Sequence, residues 1–176
     1  MKFRTVILIF SGFFLQGCAG QYPLRQGAAP DITTDPYNPP QFVTLEKMLY
    51  PIKNIEIQQQ QCPDILPVKS KFSSAQTFEL CKKAGLSMLG WALVHENLMT
   101  FTLEFAARTS AIFSKDDVVI VVSEEKTGSS VHVRSKSRSK TGDWEGNAER
   151  IRKFFLKFRE AEAGHHGVRS PKETAR

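Results

Sequence analysis

Residues 117–122 read Asp-Val-Val-Ile-Val-Val, a nearly unbroken β-branched run. Such a run suits a central strand covered on both faces. The Gly-containing segment Glu124–Ser130 follows, and then the alternating stretch Val131–Lys140, VHVRSKSRSK. Run, turn and alternation together predict an antiparallel hairpin. The hairpin limits the rest of the chain, because its central strand needs cover on both sides. It also sets a question. In an extended strand Arg134, Lys136, Arg138 and Lys140 point to one face. Four cations that close repel, so a ligand, a membrane or acids of the same chain must offset them.

The flanking segments supply cover. Ser73 or Ser74 can cap a helix running to about Leu89, with Gly90 at its end and Gly85 weakening it slightly. Trp91–Glu96 reads as a strand and Asn97 as a turn residue. Met99–Ala107 alternates Phe101, Leu103 and Phe105 with polar residues, the pattern of a half-buried strand. From Asp143 to about Ala163, residues Trp144, Ala148, Ile151, Phe155 and Phe158 form one helical apolar stripe. Thr141 or Asp143 can cap that helix, and Gly164 can stop it. Residues 42–61 are ambiguous: a short helical look to Leu49, a break at Pro51, then Ile52–Ile57 as an edge strand. The expected fold class is α+β, with a small antiparallel sheet of about four strands and two helices packed on one face.

The N-terminus indicates where the protein goes. Lys2 and Arg4 precede the apolar run Val6–Leu15. That run is short of the roughly 20 residues of a bilayer span, so it reads as an export signal. Leu15-Gln16-Gly17-Cys18 resembles the lipobox of bacterial lipoproteins, in which the chain is cut before a Cys that carries diacylglycerol. The resemblance implies lipidation at Cys18, and Ala19 rather than Asp after it implies the outer membrane, facing the periplasm. Several prolines between Ala19 and Gln41 suggest a tether. The chain therefore divides into a signal segment 1–17, a lipid-anchored Pro-rich tether 18–41, one α+β domain 42–163 and a disordered tail 164–176. The formal net charge is +6, which favours anionic partners without selecting nucleic acid. Nucleic acid is not expected outside the cytoplasm.

With Cys18 lipidated, Cys62 and Cys81 remain. Two readings stay open: a disulfide between them, or Cys81 as a core residue of the first predicted helix.

The segments FSKDDVVIVV and VHVRSKSRSKTGDWEGNAERIRKFF resemble the family called domain of unknown function 1499. Asp116 and Asp117 match its acidic pair, Arg134, Ser135, Ser137 and Arg138 its Arg-Ser cluster, and Asp143, Asn147, Arg150 and Ile151 its helix start. Two family glycines are replaced by Lys140 and Glu145. The resemblance covers roughly Cys62–Arg159 and implies a fold but no reaction.

The matched residues form the candidate cluster. Arg134, Arg138 and the Asp143 helix start can hold a phosphate or carboxylate, including a lipid headgroup. The competing reading is an internal ion-pair network in which Asp116 or Asp117 reaches Arg138 across the hairpin. In that reading Lys136 and Lys140 have no obvious acid. A hydrolase built from Ser135 or Ser137, His132 and Asp117 has no nucleophile-elbow context. No cofactor and no metal is expected, since His95, His132 and the acidic pair lack ligand spacing. The expected function is a non-catalytic binding or assembly factor of the cell envelope, with an anionic lipid or an envelope protein as partner.

Overall fold

The computed structural model describes residues 31–45, 49–108, 115–138 and 144–166. In chain order the elements are β1 (Asp31–Thr33), α1 (Lys53–Gln61), β2 (Val68–Ser70), α2 (Ser74–Ser87), β3 (Trp91–Asn97), β4 (Thr102–Arg108), β5 (Lys115–Glu124), β6 (Ser129–Ser137) and α3 (Trp144–His166). The protein is α+β with an antiparallel sheet. It has six strands and three helices among the described residues, not four and two.

The sheet runs β1-β6-β5-β4-β3, and β2 pairs with β6 beyond β1. β5 and β6 form the expected hairpin, with Glu124 opposite Ser129. Gly128 has φ +93° in its turn, and a Cβ there would lie 2.1 Å from the Ser70 carbonyl oxygen. Only glycine tolerates both conditions.

The two sheet faces are covered differently. On one, Leu103, Phe105, Val118, Ile120, Val131 and Val133 pack against Phe78, Cys81 and Ala84 of α2 and Ala148, Ile151, Phe154 and Phe158 of α3. The helical spacing of these residues gives each helix its apolar stripe. The α3 stripe takes Phe154 fully and Phe155 only in part, a one-residue rotation from the expected series. α2 begins with a capping box: the Gln76 N–H donates to Ser73 Oγ at 3.3 Å, and the Ser73 N–H to Gln76 Oε1 at 3.3 Å.

The opposite face is the larger departure. Thr102, Glu104, Val119 and Arg134 are all buried there, so β4 is covered on both sides rather than half-buried. The cover is residues 34–45 and 49–50, which lie across the sheet as an irregular strap. Asp31–Gln41 is thus part of the domain and not of a tether. β1 pairs with β6, Asp31 opposite Lys136 and Thr33 opposite Arg134, and its three residues are buried. Proline content marked this stretch as unable to build a core, but a strand this short needs only a partner edge and a buried ion pair. Residues before Asp31, including the expected signal and Cys18, lie outside the described residues.

Three local expectations change as well. Residues 53–57 are helical, not an edge strand: α1 starts at Lys53, with Ile52 as its N-cap after Pro51, and carries Gln58 to the β1 edge. There the Thr33 N–H donates to Gln58 Oε1 at 2.9 Å, and Gln58 Nε2 donates to the Thr33 carbonyl. A side-chain amide thereby satisfies both backbone groups of Thr33 on the open side of β1. α3 continues through Gly164 to His166, past the expected stop and into the expected tail. β6 ends at Ser137, short of Lys140, which with the caps Thr141 and Asp143 falls outside the described residues.

Cys81 is a buried free thiol, so of the two open readings the core residue holds and no Cys62–Cys81 disulfide forms. It sits on the core face of α2, and burial pushes its pKa well up. Cys62 is buried in the same core.

Candidate functional site

Alternation along β6 divides the Arg-Ser cluster between the two sheet faces. Arg134, Lys136 and Arg138 point to the strap side, and Ser135 and Ser137 to the helices. One candidate cluster is therefore two networks.

On the strap side, Arg134 is wholly enclosed. Its Nε donates to Asp31 Oδ1 at 2.9 Å and its NH2 to Asp31 Oδ2 at 2.8 Å. NH1 donates to the Pro40 carbonyl at 3.2 Å. Phe42 and Tyr50 lie over the guanidinium, with centroids 5.2 and 5.6 Å from its carbon. A planar fork facing a carboxylate, held between aromatic rings, is a geometry that Arg alone can satisfy. Burial, and next the Asp31 charge, push the Tyr50 phenol pKa up, and Arg134 opposes them. The Tyr50 hydroxyl donates to Gln58 Oε1 at 2.9 Å, which ties the strap to α1.

Contrary to the sequence expectation, Lys136 has an acid. Its Nζ lies 3.6 Å from Asp31 Oδ2. Arg138 binds Asp117 as the hairpin predicts, Nε to Oδ2 at 2.9 Å and NH2 to Oδ1 at 2.7 Å. The hydrogen bond to Asp117 raises the Arg138 pKa further. Its side chain is 51% exposed, unlike that of Arg134.

On the helix side, Ser135 Oγ donates to Asn147 Oδ1 at 2.7 Å, and Asn147 Nδ2 donates to Ser137 Oγ at 2.8 Å. Arg150 NH1 donates to Ser135 Oγ and to Asn147 Oδ1, both at 2.8 Å, and NH2 donates to Asp116 Oδ2 at 2.6 Å. This network lies at the start of α3, beside the apolar core. Buried polar groups that satisfy one another fix the register of α3 against β5 and β6. The second oxygen, Asp116 Oδ1, is buried with no hydrogen-bond partner among the described residues.

The arrangement separates the residues of the hydrolase reading. Ser135 and Ser137 face the helices, while Asp117 and the half-buried His132 face the strap. Burial lowers the His132 pKa, and the Asp35 and Glu125 charges oppose it. Asp143 lies outside the described residues, so its helix start adds no geometry here.

Sequence reasoning missed Asp31, Phe42, Tyr50, Gln58 and Glu104. Glu104 is 1% exposed and holds the strap from the sheet side. It accepts from the Val43 and Thr44 N–H groups and from Thr44 Oγ1. An acid alternating with Leu103 and Phe105 had looked like a solvent-facing position. No local pattern marks it as covered.

A family described as protein of unknown function (DUF1499) matches residues 31–158. The match begins at Asp31, where β1 begins, and so includes the strap. No curated protein matches the chain, and no solved structure does.

Proposed function

From the premise that this chain belongs to the DUF1499 family, which brings a fold but no reaction, we propose that it is a lipid-anchored envelope protein whose domain binds or assembles rather than catalyses. The observation that carries the non-catalytic part is the use of the Arg-Ser cluster. Arg134, Arg138 and Arg150 each engage a carboxylate of the same chain. Groups already paired with good geometry hold a fold together, whereas an anion site needs donors left over. Anion binding through Arg134 would require the strap to leave. Arg138 alone keeps an exposed flank.

The anchor rests on the leader: Lys2 and Arg4, the apolar run and Leu15-Gln16-Gly17-Cys18. Among the described residues no helix is long and apolar enough to cross a membrane. Two or three acyl chains on Cys18 would hold the protein at a bilayer.

The intact mass of the protein from its native membrane tests this. Cleavage before Cys18 with added diacylglycerol is the expected result. A protein that keeps an unmodified Cys18, or uses it in a disulfide, overturns the anchor.

A further inference from the structure

We infer that the sheet end formed by Arg108, Lys115 and Arg138, with Leu89 beside it, is the face this domain lays against an anionic phospholipid surface. Arg108 and Lys115 are cross-strand partners at the ends of β4 and β5. Asp116 pairs with Ser137, so Arg138 stands one step further along, next to Lys115. Three cations thus lie side by side on the strap face. Like charges directly opposite destabilise a sheet, so such a row calls for an external anion. Among the described residues no carboxylate lies within salt-bridge distance of Arg108 or Lys115, and Arg138 keeps half its side chain in solvent while binding Asp117.

Apolar surface adjoins the row. The Arg108 N–H donates to the Gly90 carbonyl at 3.0 Å, which places the end of α2 against it. Next to Gly90, Leu89 is 99% exposed, and Leu86 one turn earlier is 55% exposed. Exposed leucine next to a basic row is the composition of surfaces that settle at the headgroup boundary. The other end of the sheet differs in charge: the β5–β6 turn there exposes Glu124 and Glu125 with Lys126.

The chain's path points the same way. Antiparallel pairing of Asp31 with Lys136 puts the start of β1, and so the attachment point of residues 1–30, at the Arg138 end. A protein held at a membrane through those residues presents this end first. That orientation rests on the anchored reading above; the charge row does not.

The test is partitioning of the full chain carrying Cys18→Ser onto vesicles of phosphatidylglycerol mixed with phosphatidylcholine, against phosphatidylcholine alone. Arg108→Gln with Lys115→Gln should reduce partitioning onto the anionic vesicles by roughly tenfold or more, and rising salt should have a similar effect. Lys71→Gln with Lys126→Gln removes the same charge at the other end and should change it little. Equal losses from the two pairs, or equal partitioning onto both vesicle types, overturn the proposal. The Cys18→Ser background makes the readout independent of lipidation, which the intact mass decides separately.

Discussion

Arg134 and Asp31 form a two-bond ion pair in which neither side chain has any solvent exposure. The partners are 103 residues apart in the chain. Removing one member of such a pair leaves the other buried and uncompensated. Asp31→Ala is therefore expected to destabilise the domain by about 3–5 kcal/mol. Arg138→Ala should cost only about 1 kcal/mol, because its pair with Asp117 is half solvated. Urea denaturation of the two variants measures the difference, and similar losses would contradict the assignment of Arg134–Asp31 as the central lock.

Arg134→Met combined with Asp31→Leu removes both charges at once. It should lose less stability than Asp31→Ala alone, since nothing ionic is left unpaired. A loss equal to the sum of the single changes would mean that the two residues act independently.

Gly85 predicts a break with helix propensity. Alanine stabilises a helix interior by about 1 kcal/mol relative to glycine. Here a Cβ at Gly85 would lie 2.4 Å from Phe105 Cζ, and Phe105 is fully buried. Overpacking of this kind costs about 1–3 kcal/mol. Gly85→Ala should therefore lower the melting temperature, and Phe105→Leu in the same chain should recover part of the loss. A Gly85→Ala protein that melts higher than the parent would show that α2 can move off β4.

His132 gives a pH signature. Burial depresses its folded-state pKa below the ordinary histidine value, so the unfolded chain binds a proton more readily. Its contribution is complete above the unfolded pKa of about 6.5 and is lost as pH falls through the folded value. Stability should decline as pH falls through and below about 6.5, and His132→Gln should flatten that decline. An identical slope in the variant would assign the effect to other groups.

Cys81 is fully buried, and its thiol resists ionisation. Alkylation by iodoacetamide under native conditions should spare it, with labelling appearing in parallel with unfolding. Fast native labelling would show that α2 opens from the sheet.

Much of the fold is legible locally. The run at Val118–Val122, the Gly128 turn and the β6 alternation specify the hairpin by period alone, and Ser73 with Gln76 marks the start of α2. The register of the hairpin then places Asp117 near Arg138, where the spacing offered Asp116 or Asp117. β1 left no such mark. Three residues, Asp31–Thr33, set no period, and the prolines around them belong equally to a linker. α1 was hidden for a related reason: its buried residues Asn54 and Gln58 are polar, so its inner face lacks the apolar stripe that identifies a helix.

By itself, then, the sequence determined the elements whose signals repeat over a few residues: the hairpin, α2, α3 and the alternating placement of the β6 cations. Only the tertiary structure decided what each cation meets. Period is a local property carried by the backbone, but a guanidinium takes whichever carboxylate the fold delivers to it. For Arg138 that acid is across the hairpin; for Arg134 it is at the first strand of the domain. A strap whose path is set by Glu104, Gln58 and Arg134 together, rather than by its own residues, has no sequence pattern to announce it.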